Sequence, residues 1–371
     1  MGGGGDLKAV VLAGGYATRL RPISYALPKL LFPILGKPMI YWTLDLLDSI
    51  GVTEVVLGVN YLAETLRTRV GSAYGGMNVK YSLEGVELGT AGPIKLASTN
   101  TAMNETFITM NGDVIAQINL RDMLTHHRQS GALITDALHQ VKDPSRFGVV
   151  QMDRQNRIEH FVEKPKPRGA PSHLVNAGIY VIEPEVLQLI SDNRKVSLER
   201  EIFPVLAKEG RLSGFEFSGY WFDIGNLTDF RRANFSLLHS STREPERQAQ
   251  GAKIATDAVI RRPALFGDNS SVDSEAMVGP NAILGNMVSI GKRAEVTQSI
   301  LFDRVTVGDH SRIHGAILAA DVKVGGSVRI GRGCIISPHV TIADGTRIAA
   351  GAIIHPHKEI NRSVGAKAHI M

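Results

Sequence analysis

Short apolar runs alternate with amphipathic stretches over roughly the first two thirds of the chain. Four runs are rich in β-branched residues and bounded by Gly, Asn or Pro, and they are predicted strands: Lys8–Ala13, Glu54–Val59, Phe107–Met110 and Ile179–Ile182. Between the first two runs, residues 38–50 carry apolar side chains at helical spacing: Ile40, Leu44, Leu47 and Ile50. Such a helix covers a sheet with its apolar face. The alternation predicts an α/β domain built of βαβ units around a mostly parallel sheet.

A different periodicity occupies the last third of the chain, where an aliphatic or aromatic residue recurs every six positions with two steps of five. These residues are Ile254, Ile260, Phe266, Val272, Val278, Leu284, Ile290, Val296, Leu301, Val307, Ile313, Leu318, Val324, Ile330, Ile336, Ile342, Ile348 and Ile354. Glycine often follows the apolar position, as it does after Val278 and Ile330. A repeat of this period is typical of a hexapeptide β-helix, in which three repeats form one triangular coil. The pattern predicts five to six coils stacked on a continuous aliphatic column.

The two patterns divide the chain into domains. A length of 371 residues exceeds what one ordinary domain needs. The polar stretch from Ser236 to Gln250 indicates a helix end that runs into a linker. We therefore predict an α/β domain over residues 1–235, a linker over 236–252 and a β-helix domain over 253–371.

Composition narrows the class of function. The chain is 43% hydrophobic and 21% charged, and no apolar run approaches the roughly 18 residues of a membrane span. Its start resembles no secretory signal, and Asp6 stands where a myristoylation signal needs Ser or Thr, so we expect a cytoplasmic protein away from membranes. Lys and Arg are scattered and the net charge is +5, which favours small phosphorylated ligands over nucleic acid. The single cysteine, Cys334, excludes an internal disulfide.

A glycine-containing turn follows the first predicted strand, in the sequence LAGGYATRLRP over Leu12–Pro22, and LPKLLFP follows over Leu27–Pro33. Glycines let a backbone approach a ligand, and consecutive N–H groups can cradle phosphate oxygens while Arg19 and Lys29 neutralise their charge. The turn matches neither the dinucleotide-binding fingerprint nor a Walker A sequence. Its specificity therefore depends on other motifs of the chain.

Further motifs fall at strand ends or strand-proximal turns, where an open α/β sheet binds its ligands. They are Leu88-Gly89-Thr90-Ala91-Gly92, Asn111-Gly112-Asp113, Phe161-Val162-Glu163-Lys164-Pro165, Asn176-Ala177-Gly178 and Trp221-Phe222-Asp223-Ile224-Gly225. With the first turn, and in this order, they resemble the motifs of the sugar-1-phosphate nucleotidyltransferase family over nearly the whole chain. That family implies a Rossmann-like catalytic domain followed by a left-handed β-helix. The repeat half and the closing His369-Ile370-Met371 are most similar to its mannose-1-phosphate guanylyltransferase branch.

The resemblance implies transfer of a nucleoside monophosphate from an NTP to a hexose 1-phosphate, with release of pyrophosphate and with GTP and mannose 1-phosphate as the expected pair. It implies a catalytic set of Arg19, Lys29, Asp113, Lys164 and Asp223, in which Asp113 and Asp223 hold Mg²⁺. It implies nucleotide binding by Leu12, Ala13, Gly14, Gly15, Thr18, Arg19, Lys29, Gly89, Thr90 and Asn111. It implies sugar-phosphate binding by Gly112, Gly148, Glu163, Lys164, Asn176 and Gly178.

Each role has a plainer alternative. Asp113 could cap a helix and Asp223 could stabilise a turn. Arg19 and Lys29 could be solvated surface charges, and Glu163 could form only a weak surface pair with its neighbour.

Other readings concern the whole protein. The repeats could form an acyltransferase that uses His310, His314 or His339 as a base, or the chain could be a regulatory subunit that binds a nucleotide sugar. Glucose or N-acetylglucosamine 1-phosphate with UTP or dTTP is the alternative substrate pair. Ala17 replaces a glycine and Glu87 replaces a proline common in relatives, and both changes lie near the expected nucleotide site. We expect a homo-oligomer formed through the coils.

Overall fold

The computed structural model describes residues 6–166, 169–192, 194–241 and 249–371, so residues 242–248 of the predicted linker lie outside the described residues. The chain forms two compact units. The first, which we call the sheet unit, comprises residues up to Tyr16 and Met39–Ile224. The second, the repeat unit, comprises Ala17–Pro38 and Gly225–Met371.

The strands before residue 225 are short and mostly buried. Their bounds are β1 Lys8–Leu12, β2 Pro33–Ile34, β3 Lys37–Pro38, β4 Glu54–Val59, β5 Ala73–Tyr74, β6 Met77–Leu83, β7 Phe107–Asn111, β8 Val114–Ala116, β9 Ile134–Gln140, β10 Gly148–Met152, β11 Ile158–Glu163, β12 Leu174–Ile182, β13 Leu212–Glu216 and β14 Trp221–Asp223. The helices are α1 Met39–Asp48, α2 Ala63–Val70, α3 Gly92–Asn100, α4 Leu120–Ser130, α5 Val186–Leu189, α6 Phe203–Lys208 and α7 Leu227–Ser241, with a π-helix at Leu198–Ile202. All four predicted strands are present.

The main sheet has ten strands, with the order β11-β10-β12-β7-β1-β4-β6-β5 and with β9 and β13 added beside β12. Strand β1 runs parallel to β4 and β7, and β4 runs parallel to β6. Strand β12, however, is antiparallel to β7, β9 and β10, and β10 and β11 form a hairpin. The sheet is therefore mixed, because a hairpin and its return strand replace the helical crossovers that parallel pairing requires.

The predicted first helix is α1, and it buries Ile40, Leu44 and Leu47 as its spacing indicates. Ile50 lies beyond the helix end and is only half-buried. In the sheet unit, the fully buried Phe107, Tyr180 and Phe203 are among the largest core side chains. Within the described residues, no helix is both long enough and apolar enough to cross a membrane.

The repeat unit contains the hexapeptide coils. Their strands are β15 Lys253–Ile254, β16 Val259–Ile260, β17 Ala264–Leu265, β18 Ser271–Val272, β19 Met277–Val278, β20 Ala282–Leu284, β21 Ser289–Ile290, β22 Glu295–Thr297, β23 Ile300–Leu301, β24 Thr306–Val307, β25 Arg312–His314, β26 Ile317–Leu318, β27 Lys323–Val324, β28 Arg329–Ile330, β29 Ile335–Ile336, β30 Thr341–Ile342, β31 Arg347–Ile348, β32 Ile353–Ile354, β33 Glu359–Ile360 and β34 His369–Ile370. They form three parallel sheets of seven, six and seven strands. This is the arrangement of a left-handed β-helix.

Most residues of the six-residue pattern line the interior of these coils, as Val278, Leu301 and Ile330 do, but the first, Ile254, is 42% exposed. Parallel pairing of each strand with the equivalent strand of the next coil satisfies the backbone and stacks these side chains in one column. The repeat continues past the last predicted position to Ile360 and Ile370. The stack therefore extends beyond the five to six coils predicted from the sequence.

The repeat unit also includes the segment Ala17–Pro38, which we call the arm. The arm contains three short 3₁₀ turns, Thr18–Leu20, Ile23–Tyr25 and Lys29–Leu31, followed by the hairpin β2–β3. Helix α7 belongs to the same unit. The arm is thus inserted between β1 and α1 in sequence, yet it packs with the C-terminal part of the chain.

Candidate active site

The glycine-containing turn begins where β1 ends, at the carboxyl edge of the parallel strands. The Ala13 N–H donates to the Gly58 carbonyl on β4 (2.8 Å), which directs the chain across the sheet edge. A Cβ on Gly14 would lie 2.2 Å from Glu84 Oε1, so any larger residue would have to displace the Glu84 side chain. Gly15 faces open space. This is where an open α/β sheet binds ligands.

Glu84 is a residue that the motif analysis missed. It follows β6 at the same sheet edge, and its backbone N–H donates to the Val59 carbonyl (2.9 Å). The side chain is only 5% exposed, and Oε1 has no hydrogen-bond partner within the described part of the chain. Burial, with a smaller contribution from the charge of Glu87, raises the pKa of Glu84 to about 7. No motif or predicted strand singled it out in the sequence, because β6 was not among the predicted strands.

This carboxyl should make stability depend on pH. Its pKa in the folded state, about 7, exceeds the ordinary 4.5, so between these values the folded chain holds a proton that the unfolded chain has lost. Stability should therefore be complete below pH 4.5 and fall by about 3 kcal/mol as pH rises to 7. Between pH 5 and pH 8, we expect the melting temperature of Glu84→Gln to fall by less than that of the wild type. Parallel pH profiles of the two proteins would contradict this assignment.

The two predicted metal carboxylates lie together. Strand β14 pairs antiparallel with β8, and Asp223 stands opposite Val114, the residue after Asp113. The Ile224 N–H donates to the Asp113 carbonyl (3.1 Å), which extends the pairing by one step. The Gly112 N–H donates to the Leu12 carbonyl (2.9 Å) and so ties this turn to the end of β1. Both aspartates are half-buried, Asp113 just after β7 and Asp223 in the separate two-stranded sheet that β14 forms with β8.

The chemistry of this pair, two carboxylates, matches what a hard divalent cation accepts from a protein. Magnesium prefers one or two protein carboxylates and completes its shell with substrate phosphates and water. Across residues 6–166, 169–192, 194–241 and 249–371, no cluster of three or more His, Cys, Asp or Glu side chains could hold a metal ion. The role of Asp113 and Asp223 in holding such an ion stays a prediction.

Asn111, Asn176 and Gly178 meet beside the aspartates. The pairing of β12 with β9 shifts register between Asn176 and Tyr180, and Gly178 in this irregularity has a positive φ of 75°. The Gly178 N–H donates to Asn176 Oδ1 (2.6 Å), while Asn176 Nδ2 donates to the buried Tyr180 hydroxyl (2.9 Å). A Cβ on Gly178 would lie 2.4 Å from Asn111 Nδ2. The backbone at Gly178 therefore contacts both asparagine side chains, through a hydrogen bond to Asn176 and through close packing against Asn111.

Gly148, Glu163 and Lys164 come together at the end of the β10–β11 hairpin. Gly148 pairs with Glu163, and a Cβ on Gly148 would lie 2.9 Å from Glu163 Oε2. Lys164 has a positive φ of 49°, which is costly for a residue with a side chain and often marks a functional turn. Lys164 Nζ lies 3.1 Å from Glu163 Oε1, with the lysine side chain 60% exposed. The cation therefore remains accessible to an anionic ligand.

Gly89 and Thr90 contact a different part of the sheet unit. Gly89 has a φ of 79°, and its missing Cβ would lie 2.3 Å from the Val196 carbonyl oxygen. The Thr90 hydroxyl donates to Glu199 Oε2 (2.6 Å) and accepts from the Leu198 N–H (2.9 Å). These contacts join the turn to the start of the π-helix. The nucleotide-binding role of both residues stays a prediction.

The remaining predicted cations lie in the arm. Thr18 and Arg19 form an exposed 3₁₀ turn, and Lys29 begins another and is half-buried. Ala17, the residue that departs from the family pattern, has φ 48° and ψ 38°, so it adopts the left-handed conformation despite its side chain. This costs roughly 1–2 kcal/mol relative to glycine. Glu87, the other departure, is exposed and pairs with Lys195 (2.6 Å).

Two family models match successive parts of the chain, and the first of them includes the arm and α7 up to residue 240. A family model described as nucleotidyl transferase matches residues 8–240. The chain belongs to the nucleotidyl transferase family. A second model, described as the GMPPB C-terminal domain, matches residues 253–370.

This nucleotidyl transferase has many curated relatives. It is 38% identical over 262 residues to a mannose-1-phosphate guanyltransferase of Saccharomyces cerevisiae, covering 68% of this chain and 71% of the relative. It is 38% identical over 268 residues to the mannose-1-phosphate guanylyltransferase catalytic subunit beta of Danio rerio, covering 71% and 74%. A probable mannose-1-phosphate guanylyltransferase 3 of Oryza sativa is 32% identical over 89% of this chain and 95% of the relative.

Solved structures agree on the fold. A glucose-1-phosphate thymidylyltransferase described as putative, from Bacillus anthracis, matches with a TM-score of 0.57 and 25% identity over 65% of this chain and 96% of that chain. A UDP-glucose pyrophosphorylase bound to UDP-glucose matches with a TM-score of 0.56 and 20% identity over 63% and 99%. Enzymes of this family generally use a divalent metal ion. The sheet unit thus has the fold of a sugar-phosphate nucleotidyltransferase domain.

The histidines considered for acyl transfer lie on the coils of this nucleotidyl transferase. His314 Nδ1 lies 2.7 Å from Thr297 Oγ1, and its Nε2 lies 3.1 Å from Arg332 Nη2. Because the arginine can only donate, Nε2 must accept, and this nitrogen is engaged. His339 stacks on His357 with ring centroids 4.8 Å apart, and His310 is exposed with a positive φ of 61°. The arrangement disfavours His314 as a general base.

Proposed function

We propose that this enzyme transfers GMP from GTP to mannose 1-phosphate, producing GDP-mannose and pyrophosphate. The observation that carries the proposal is the pairing of Asp223 with the turn that contains Asp113, directly after β7, where Asn111, Asn176 and Gly178 also meet. That arrangement accounts for a metal, a nucleotide and a sugar in one place. The guanylyltransferase names of the relatives support the choice of base and sugar.

In this reaction an oxygen of the sugar phosphate attacks the α-phosphorus of GTP, and the bond from that phosphorus to pyrophosphate breaks. Several negative charges must approach one another, so catalysis consists mainly of positioning and charge compensation. Arg19 and Lys29 bind the β- and γ-phosphates and stabilise the departing pyrophosphate. Lys164 binds the sugar phosphate, while Glu163 and Asn176 hold sugar hydroxyls.

The proposed metal ion is Mg²⁺, held by Asp113 and Asp223 together with the triphosphate. When bound, it would neutralise phosphate charge at the reacting centre. The β8–β14 pairing supports this assignment, because it fixes the backbones of the two aspartates side by side. The reaction requires no covalent intermediate with the protein.

The preference for guanine is attributed to Glu84. Its unpartnered Oε1 lies against Gly14 at the start of the phosphate-binding turn. A buried acceptor without a partner is costly, and a ligand that donates to it recovers that cost. Guanine presents two adjacent donors, the ring N–H and the exocyclic amino group, whereas uracil and thymine present one. The ionised form of Glu84, which predominates above its pKa of about 7, therefore favours GTP over UTP and dTTP.

The proposal is tested by measuring pyrophosphate release with Mg²⁺ for five nucleotides (GTP, UTP, dTTP, ATP and CTP) against the 1-phosphates of mannose, glucose and N-acetylglucosamine. We expect turnover with GTP and mannose 1-phosphate to exceed every other pair by at least roughly tenfold. Dominance of another pair would overturn the substrate assignment. Absence of pyrophosphate release with every pair would instead favour a regulatory subunit.

Two properties of the whole protein complete the proposal. The enzyme acts in the cytoplasm, and it assembles into a homo-oligomer through its coils, since parallel strands at the two ends of the stack present unpaired backbone groups. Light scattering of the full chain and of a variant with charges placed on the last coil would test the assembly.

A further inference from the structure

The two cations proposed for the triphosphate lie in the arm, which packs with the coils and α7 in the repeat unit. The Arg19 guanidinium lies over Gly225, since a Cβ on that glycine would be 3.6 Å from Nη2. Lys29 begins the 3₁₀ turn that ends at Leu31, and its carbonyl accepts from the Phe32 N–H (3.0 Å). The positions of both cations therefore depend on what holds the arm within this unit.

Three phenylalanine rings join the arm, α7 and the coils. Phe32 of the arm packs edge-on against Phe230 of α7, with ring centroids 5.7 Å apart. Phe302 of the coils lies 6.1 Å from Phe32 and 5.9 Å from Phe230. All three side chains are buried, with exposures of 3% or less. We call these residues the phenylalanine cluster.

Phe302 is an exception to the hexapeptide pattern. Leu301 points into the coil interior, so the residue after it, Phe302, does not join the aliphatic column. A large apolar side chain outside the column is exposed to water unless another element covers it, and Phe302 is covered by Phe32 and Phe230. Its aromatic ring therefore contributes to holding the arm rather than to stacking the coils.

Helix α7 adds hydrogen bonds on both sides of the cluster. The fully buried Asn234 accepts from the Leu35 N–H (2.9 Å) and donates to the Pro33 carbonyl (3.3 Å), both in the arm. Arg231, three residues earlier, donates to the carbonyls of Gly315 (2.9 Å) and Gln298 (3.2 Å) in the coils. One helix therefore connects the arm to the β-helix through directed polar contacts as well as through Phe230.

A second aromatic contact lies farther along the stack. Tyr25 of the arm lies 5.7 Å from the His355 ring, and the Arg21 guanidinium lies 4.9 Å from the centroid of Tyr25. His355 directly follows β32, several coils beyond Phe302. The arm is thus attached to the coils at two separated points.

We propose that the β-helix positions the arm for nucleotide binding, in that Phe302 acts through Phe32 to hold Lys29 and the arm in the conformation that binds triphosphate. This inference rests on the proposed function for its kinetic consequence. It assigns to the coils a role in nucleotide affinity that the hexapeptide repeat by itself does not imply. Phe302 is a positioning residue, since it acts on the ligand only through the arm.

The test compares Phe302→Ala with Ile336→Ala in the full chain. Ile336 is a fully buried member of the aliphatic column, so its truncation weakens the coils without altering the phenylalanine cluster. We expect both variants to melt at lower temperature, but only Phe302→Ala to raise the KM for GTP, by roughly tenfold, with the KM for mannose 1-phosphate within about twofold of wild type. Phe302→Leu should show a smaller rise and serves if the alanine variant does not fold.

Equal changes in the KM for GTP in the two variants, or an unchanged KM in Phe302→Ala, would overturn the proposal. Hydrogen exchange provides a readout that needs no turnover. Backbone amides of residues 18–35 should exchange faster in Phe302→Ala than in Ile336→Ala, and equal exchange would overturn the positioning role. If the wild type is inactive on every substrate pair, the proposed function fails, and the exchange comparison still decides whether the coils hold the arm.

Discussion

Asp113→Asn should reduce Mg²⁺-dependent pyrophosphate release by at least about a thousandfold, because the change removes a negative ligand at a centre where several phosphate charges meet. The fold should remain, since Asp113 is held through the backbone pairing of β8 with β14 and its side chain is not part of the apolar core. Initial rates with GTP and mannose 1-phosphate over a Mg²⁺ titration measure the loss. A melting temperature within a few degrees of wild type verifies the fold.

A matched control is Asp122→Asn, which removes the same charge from the first turn of α4, where Asp122 accepts a hydrogen bond from Asn119. This variant should keep nearly full turnover. Mn²⁺ binding in the presence of GTP, followed by water proton relaxation, separates metal binding from catalysis. Should Asp113→Asn bind Mn²⁺ and turn over like the control, the metal assignment would be wrong.

The parts of this site that the sequence predicts share one property, their position at strand ends. Leu12 ends β1 and Asn111 ends β7, and these apolar strands are recognisable because they are buried on both faces. The six-residue period is equally visible, because every coil repeats the same inward position. Local pattern therefore predicts both folds and the edge at which the ligands bind.

Long-range pairing lies beyond such patterns. That Asp223 stands beside Asp113 follows from the contact of β14 with β8, two three-residue strands that no periodicity distinguishes. Glu84 belongs to no recognised motif, and its burial becomes visible only when β6 is placed beside β4. A single strand does not specify its neighbour, because neighbour choice depends on the packing of the whole sheet.

The arm shows the same limit at the level of domains. The arm lies between β1 and α1 in the chain, so the sequence predicts that Arg19 and Lys29 belong to the α/β domain. Its burial against Phe230 and Phe302 instead places it in the compact unit of the coils. The hexapeptide pattern identifies inward residues such as Leu301, but it carries no information about which outward residue is covered. The association of the arm with the coils therefore requires the structure.

Gly178→Ala is expected to reduce activity strongly for a steric reason, although by less than loss of the metal ligand. The new Cβ would lie 2.4 Å from Asn111 Nδ2, so either the asparagine must swing away or the irregular part of β12 must shift. Both groups are assigned to substrate binding, and a displacement of about 1 Å at a reacting centre can cost on the order of a hundredfold in rate. We expect a loss of that size in kcat/KM for mannose 1-phosphate.

Backbone strain must be separated from this collision, because Gly178 also has a φ of 75°, where any residue with a Cβ is strained. Gly210→Ala is the matched control: Gly210 has a φ of 66°, and a Cβ there would meet nothing within 4 Å. Both variants should lose roughly 1 kcal/mol of stability to strain, but only Gly178→Ala should lose activity. Equal kinetics in the two variants would show that the Asn111 contact is irrelevant to turnover, and the sugar-binding assignment of Gly178 would then fail.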